Sequence, residues 1–499
     1  MKRLLLILCL VVSFVPIGGA QALAGEMDIL VQKLVEKNVL TPSEAQIVVD
    51  ETKVQVAKEL ANGESLSVPD WTQRIKWGGD VRFRTQEDWG KARSDYNGNA
   101  GGSAGTATIT NPGSTGTLLA DQRLRERVRG RFYMEGKVND FTTAAVRIAG
   151  GASSNRSTND TLGSTSTPGG SSGLTSNYFE KAPVFFDYYY IKFEAPREVI
   201  RDYGKYFNDF KLWLGRFPIP FNYSELVWDP DTNPSGIAVQ YVSPDIKIGA
   251  LPSTNIYGNL GMFWLDESAS YSADPMLFGY QVGAKTETFG PFGSVLDIST
   301  AFYDFANMQD KNSTINSSSS AGTNTRMWAQ NGDAGGFGNY RYEYNVFDVL
   351  LSLDNSKIMD FEFPHGFYAD FIHNTAAPSE NNGALIGAYI GKKKIKNPGD
   401  WKVRGEWRYI ERDSVPDFMP DSDFYGFGTF TSSTVALNAG NNGLPAEGGT
   451  NGKGINLALE YQLFKNTALN FEYYWMEPIE SWDKTDPWNE LQIDVITKF

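Results

Sequence analysis

From about residue 75 onward, apolar and polar positions alternate in short stretches separated by turn-rich segments, the two-residue period of strands with one dry face and one wet face. Sixteen such stretches can be delimited: about 75–89, 123–138, 140–150, 184–194, 209–217, 236–243, 254–266, 276–288, 293–305, 342–355, 360–373, 383–394, 400–412, 453–464, 466–477 and 488–499. In the last of them Leu491, Ile493, Val495 and Phe499 share one parity, against Gln492, Asp494 and Lys498. The fourteenth sets Ile455, Leu457, Leu459, Tyr461 and Leu463 against Asn456, Glu460 and Gln462, and the thirteenth sets Trp401, Val403, Trp407 and Tyr409 against Lys402, Arg404, Glu406 and Arg408. One alternating segment would also describe a half-buried soluble strand, so the weight lies in the repetition.

The connections fall into two classes. Strands two to three (Val138-Asn139-Asp140), eight to nine, ten to eleven, twelve to thirteen and fourteen to fifteen (Phe464-Lys465-Asn466-Thr467) are joined by short turns. Intervening connections at about 90–122, 151–183, 216–236, 306–341 and 413–452 are long and rich in Gly, Ser, Thr and Asn. Connections four to five and six to seven are of middling length and fit the division less well, and the loops seven to eight and eleven to twelve are modest. Tight turns on one side and long loops on the other are the build of an outer-membrane barrel, and an even strand number returns both chain ends to the periplasmic side. The expected fold is therefore all-β: a transmembrane antiparallel barrel of about 16 strands, preceded by a short N-terminal helical segment.

That segment follows an export address. Lys2-Arg3, the apolar run Leu4 to Val15 and the small-residue end Ala22-Leu23-Ala24 form the three zones of a secretory signal peptide. From Met27 to about Asn62 the pattern turns helical, with Thr41-Pro42-Ser43-Glu44 reading as the start of a second helix. The division expected is 1–24 signal peptide, 25–70 periplasmic helical segment and 71–499 barrel. The single cysteine, Cys9, lies in the part expected to be removed, which excludes disulfides and thiol chemistry from the mature chain. With 45 basic against 59 acidic residues, a net charge of −14, the chain lacks the basic excess of a nucleic-acid binder. His365 and His373 are its only histidines and no Gly-x-Ser-x-Gly is present, so an outer-membrane hydrolase is disfavoured and no cofactor or metal is expected.

Aromatic residues gather where strands would cross the membrane interfaces: Trp77 and Trp89, Tyr188-Tyr189-Tyr190, Tyr473-Tyr474-Trp475, and Trp482 with Trp488. Rings with an apolar body and a polar edge favour that zone and form the girdles of barrels.

The most distinctive feature is a row of arginines. Arg123, Arg125, Arg127, Arg129 and Arg131 hold every second position of one strand and so project from one face. Toward lipid each would cost about 2–4 kcal/mol near the midplane, so the row faces the lumen, leaving Leu124, Val128, Phe132 and Met134 outward. Arg82 and Arg84 share the lumen parity of the first strand. Successive arginines stand roughly 7 Å apart, where repulsion is roughly 0.6 kcal/mol in water and roughly 2.4 kcal/mol at an effective dielectric of 20. Screening must come from water, mobile anions or facing carboxylates. A cationic ladder that draws anions through and a structural network tied down by carboxylates are both consistent with the pattern.

The stretch Leu214-Gly215-Arg216-Phe217-Pro218-Ile219-Pro220-Phe221, running on to Trp228-Asp229-Pro230-Asp231, is the expected constriction segment, with Arg216 in it and Glu225, Asp229 and Asp231 available to face the arginine wall. Asp229-x-Asp231 also suits a turn or, in principle, a calcium ion.

Together, the signal peptide and helical stretch, Trp77-Gly-Gly-Asp80-Val-Arg82-Phe-Arg84, Gly215-Arg216-x-x-x-Pro220-Phe221 with Trp228-Asp229-x-Asp231, and terminal Phe499 resemble the Putative porin family of Gram-negative outer membranes, a family related to phosphate-selective O and P type porins. The resemblance implies a sixteen-stranded barrel in outer-membrane lipid, a homotrimer, passing small ions or anionic solutes, with Arg123 to Arg131 as a match to an arginine ladder. The channel lining expected comprises Arg82, Arg84, the row, Lys402, Arg404 and Arg408. A barrel serving as a sheath for an electron-carrying partner is the alternative.

Overall fold

The computed structural model describes residues 41, 45, 74–90, 122–151, 158–163, 182–195, 197–247, 249, 252–267, 273–309, 323–325, 340–427, 445–446, 449–480 and 487–499. The chain divides into two units, Met1–Gln73 and Arg74–Phe499. The expected signal peptide, and all of the expected helical stretch save Thr41 and Ala45, lie outside the described residues.

The second unit is a ring of sixteen antiparallel strands: β1 (Ile75–Trp89), β2 (Gln122–Lys137), β3 (Thr142–Gly150), β4 (Val184–Glu194), β5 (Asp209–Arg216), β6 (Ser235–Val242), β7 (Thr254–Trp264), β8 (Met276–Thr286), β9 (Ser294–Ala306), β10 (Tyr344–Ile358), β11 (Phe361–Asn374), β12 (Asn382–Gly391), β13 (Trp401–Ile410), β14 (Gly452–Phe464), β15 (Thr467–Pro478) and β16 (Trp488–Lys498). Each strand pairs with its sequence neighbours, and β1 pairs with β16 from Asp80↔Lys498 to Trp89↔Asn489, so the sheet has no free edge. Beyond the last strand, Phe499 exchanges both backbone hydrogen bonds with Gly79 at 3.0 Å, which sews the chain end into the closure. A seven-residue helix, α1 (Arg197–Tyr203), sits in the β4–β5 connection. β3 is shorter than β2, and above it Asp160–Thr161 folds back to pair with Arg127 and Val128.

The alternation read from sequence is the alternation of faces. Trp77, Val81 and Phe83 of β1 are exposed on the outside while Arg82, Arg84, Gln86 and Asp88 are buried inside. On β13, Trp401, Val403 and Trp407 point outward, opposite Glu406 and Arg408.

Inside, two long connections fold into the lumen as straps. The first, residues 217–234, buries Phe217, Phe221, Leu226, Val227 and Trp228; the second, residues 411–427, buries Val415, Phe418, Met419, Phe424 and Phe427. They form one apolar core with the inner faces of β6–β13, including Ala238, Phe263, Leu277, Ala301 and Tyr303. Glycines on that wall make the room: a Cβ on Gly279 would collide with the Phe221 ring. The straps are tied together by Asp229 N–H donating to Met419 O at 2.8 Å and Asp421 N–H donating to Glu225 O at 3.2 Å. A third connection docks on the second strap, where Thr323 and Thr325 amides donate to Asp417 and Asp413 at 2.9 and 2.8 Å.

The same wall carries tyrosine crossbars. Tyr368 of β11, Gly387 of β12 and Glu406 of β13 stand in one register line, and the tyrosine lies across the glycine to donate to Glu406 at 2.6 Å. Tyr389 crosses Gly366 to reach Asp354 at 2.5 Å, and Tyr257 crosses Gly283 to reach Asp297 at 2.7 Å. In each case a Cβ on the glycine would approach the ring closer than 3.0 Å, so only glycine admits the crossing.

Candidate constriction site

The register of β1 and β2 places Arg82 opposite Arg129 and Arg84 opposite Arg127, so the arginines form a two-column block with Arg125 and Arg131 continuing it. Like charges directly opposite destabilise a strand pair, and carboxylates from three directions offset them. Asp494 of β16 accepts from Arg84 through both oxygens, at 2.7 and 3.0 Å, and lies 3.6 Å from Arg82. Asp80 joins Arg129 at 3.1 Å to Arg131 at 2.8 Å, and Asp88 accepts from Arg125 at 2.9 Å. From the straps, Asp231 lies 3.6 Å from Arg129 and 3.9 Å from Arg131, and Asp423 is 3.1 Å from Arg84. Arg82 also donates to Asn159. Arg127 differs: it donates to Gln86 at 2.9 Å, and among the described residues no carboxylate lies within 4.0 Å of it. Arg123 is exposed at the outer end of β2.

A second basic wall stands on β13. Lys402 pairs with Glu460 at 2.9 Å, and Arg404 pairs with Glu472 at 2.6 Å and Glu406 at 2.7 Å. Arg408, fully buried, meets Glu406 and Asp421 at 2.8 Å each and also Glu225, whose carboxylate lies 3.9 Å from Arg404. Burial, with Glu225 alongside, pushes the Asp421 carboxyl up in spite of Arg408. Asp423 goes the other way: against the cost of burial, Arg84, Arg82 and Arg127 hold its carboxyl down at about 2. It is therefore ionised at any working pH.

Of the four residues expected on the constriction segment, Asp231 reaches the β1–β2 arginines, whereas Glu225 reaches the β13 wall instead. Asp229 is a turn residue, accepting from Asp231 N–H at 2.8 Å and Ser422 N–H at 3.3 Å. Arg216 is not brought to this group: it pairs in register with Tyr189 and Ser235 and donates to Ser235 at 2.9 Å. Since Tyr189 is an outward residue, the strand has carried Arg216 to the opposite parity. Sequence reasoning missed Asp80, Asp88 and Asp494 as counter-charges, although each lies on the lumen parity of its strand. It also missed Asp421 and Asp423, because an aperiodic strap gives no parity to read.

The Putative porin family matches residues 50–334 and 338–499. The chain belongs to that family. It is a barrel of the outer membrane, and family and fold alike make it a channel rather than an enzyme. Among solved structures it is similar to Pseudomonas putida OprB at high pH, with 9% identity over 86% of this chain and 95% of that one and a TM-score of 0.47. Similar too are the outer-membrane channel DcaP of Acinetobacter baumannii, with 10% identity, coverage of 85% and 97% and a TM-score of 0.38, and an anion-selective porin from Comamonas acidovorans, with 9% identity, coverage of 85% and 99% and a TM-score of 0.39. No curated protein matches the chain.

Proposed function

We propose that this porin is a passive channel for small hydrophilic solutes and ions, in which two inward straps narrow the lumen between two basic walls. The observation that carries the reading is the meeting of Asp231, Asp423 and Glu225 with the β1–β2 and β13 arginines. Opposed charges fixed on the straps and on the wall set a local field, which orders water and orients dipolar solutes in transit. The carboxylate pairing favours the structural network over a bare cationic ladder. Anion preference in this channel then rests on Arg127, whose guanidinium is hydrogen-bonded to Gln86 and has no ion-pair partner among the described residues. The working form is read as a homotrimer, exported through removal of residues 1–24 and carrying residues 25–70 in the periplasm. Electrophoresis of unheated and boiled samples, with N-terminal sequencing of the mature protein, tests those two statements. Conductance of the purified protein in a planar bilayer tests the channel itself: stable current without a partner supports the reading, and a folded but silent barrel favours the sheath.

A further inference from the structure

The strap carboxylates divide by their contact with water. Asp229, Asp413 and Asp417 are buried and spend their oxygens on backbone amides and hydroxyls, and Asp421 spends one on Arg408. Between Arg412 and Phe427 only Ser422 and Asp423 escape full burial. The Asp423 side chain is 29% exposed, whereas its partner Arg84 is 4% exposed. Arg84 is already held by Asp494 through two oxygens, so Asp423 is not required to satisfy that guanidinium. What holds Asp423 in place is the turn at the strap tip: its own amide donates to Asp421 at 3.1 Å, and the preceding Ser422 amide donates to Asp229. The tip thus presents a fixed, partly exposed negative charge in front of Arg84 and near Arg82 and Arg127, the last of which lacks an ion-pair partner among the described residues.

We infer that Asp423 is a specificity-determining residue of the channel: from the tip of the second strap it screens the arginine block and holds permeant anions away from Arg127. This rests on the reading of the lumen as a conducting path. The selectivity of the pore is then set less by the number of arginines on the wall than by which carboxylate stands in front of them.

The test is the reversal potential of wild type, Asp423→Asn and Asp423→Glu under a potassium chloride gradient. A unit charge about 5 Å from an ion in water changes its local concentration roughly fourfold, in opposite senses for chloride and potassium. Asp423→Asn is therefore expected to raise the chloride-to-potassium permeability ratio by on the order of tenfold, and Asp423→Glu to leave it near wild type. Ser422→Lys, which keeps Asp423 but offsets its charge, should shift the ratio in the same direction and serves if the asparagine variant fails to fold. Conducting Asn and Lys variants with an unchanged reversal potential would overturn the role of Asp423 while leaving the channel standing. A silent wild-type barrel would overturn both.

Discussion

The tyrosine crossbars allow a sharp test of what holds the lumen wall. Gly387→Ala adds one methyl group at a position where the backbone itself is unstrained, so the conformational effect alone would stabilise the strand by about 0.5–1 kcal/mol. The Cβ, however, would lie closer than 3.0 Å to the ring and hydroxyl of Tyr368. The ring must leave, and with it the hydrogen bond to Glu406. A hydrogen bond to a charged acceptor contributes about 1.5–3 kcal/mol, so Gly387→Ala is expected to destabilise by about 0.5–2.5 kcal/mol once the propensity gain is deducted. In a Tyr368→Ala background nothing remains to collide with, and the same substitution becomes neutral or stabilising. The reversal of sign is the signature, read as a double-mutant cycle by urea unfolding of the folded barrel with tryptophan fluorescence. Equal destabilisation by Gly387→Ala in both backgrounds would refute the crossing as the reason for glycine. The displaced ring also moves into the lumen beside Arg404, so single-channel conductance should fall in the Gly387→Ala protein and recover in the double variant.

Other expectations follow from the same contacts. Arg127→Ala with Arg129→Ala should move the reversal potential toward potassium, and Arg127→Ala alone should account for most of that shift, since Arg129 is already neutralised by Asp80 and Asp231; reversal potentials of the two single variants decide it. Trp228→Ala empties the centre of the strap core and should cost about 3–5 kcal/mol, measured by urea unfolding, with larger and noisier conductance. Partial burial, with the Glu480 carboxyl in hydrogen-bond contact, lifts Glu380 to about 7 in spite of Arg412. A carboxyl raised in the folded state contributes stability in full below its ordinary value and loses it as pH rises through the folded one. Protease resistance of the outer junction around Arg412 should therefore decline between about pH 5 and 8, and Glu380→Gln should flatten the decline.

The strands were legible because alternation is a local property that lipid and lumen enforce on every one of them. β1, at 75–89, and β4, at 184–194, coincide with the stretches read from pattern alone, and β13 ends only two residues early, at Ile410. The lumen position of the arginines followed from the same parity. Their pairing did not, because Asp494 meets Arg84 only through ring closure, and closure register is not written in either strand. Asp423 was invisible for a different reason: residues 411–427 carry no period, and their course is fixed by Asp229, Glu225 and the docked Thr323–Thr325 segment. Arg216 shows the limit of reading a motif as a segment, since the strand runs through it and hands it the outward parity. The crossbars escaped notice because a glycine inside a strand looks like a defect until the tyrosine on the next strand is placed over it.

Straps that narrow the lumen without sealing it leave a conducting path beside them. Single-channel current of the refolded, purified protein in a planar bilayer tests it most directly. Discrete, stable conductance steps in potassium chloride, with no partner protein added, are the result expected. A correctly folded barrel, shown by its shift on boiling, that passes no current would contradict the account and leave the straps as a plug.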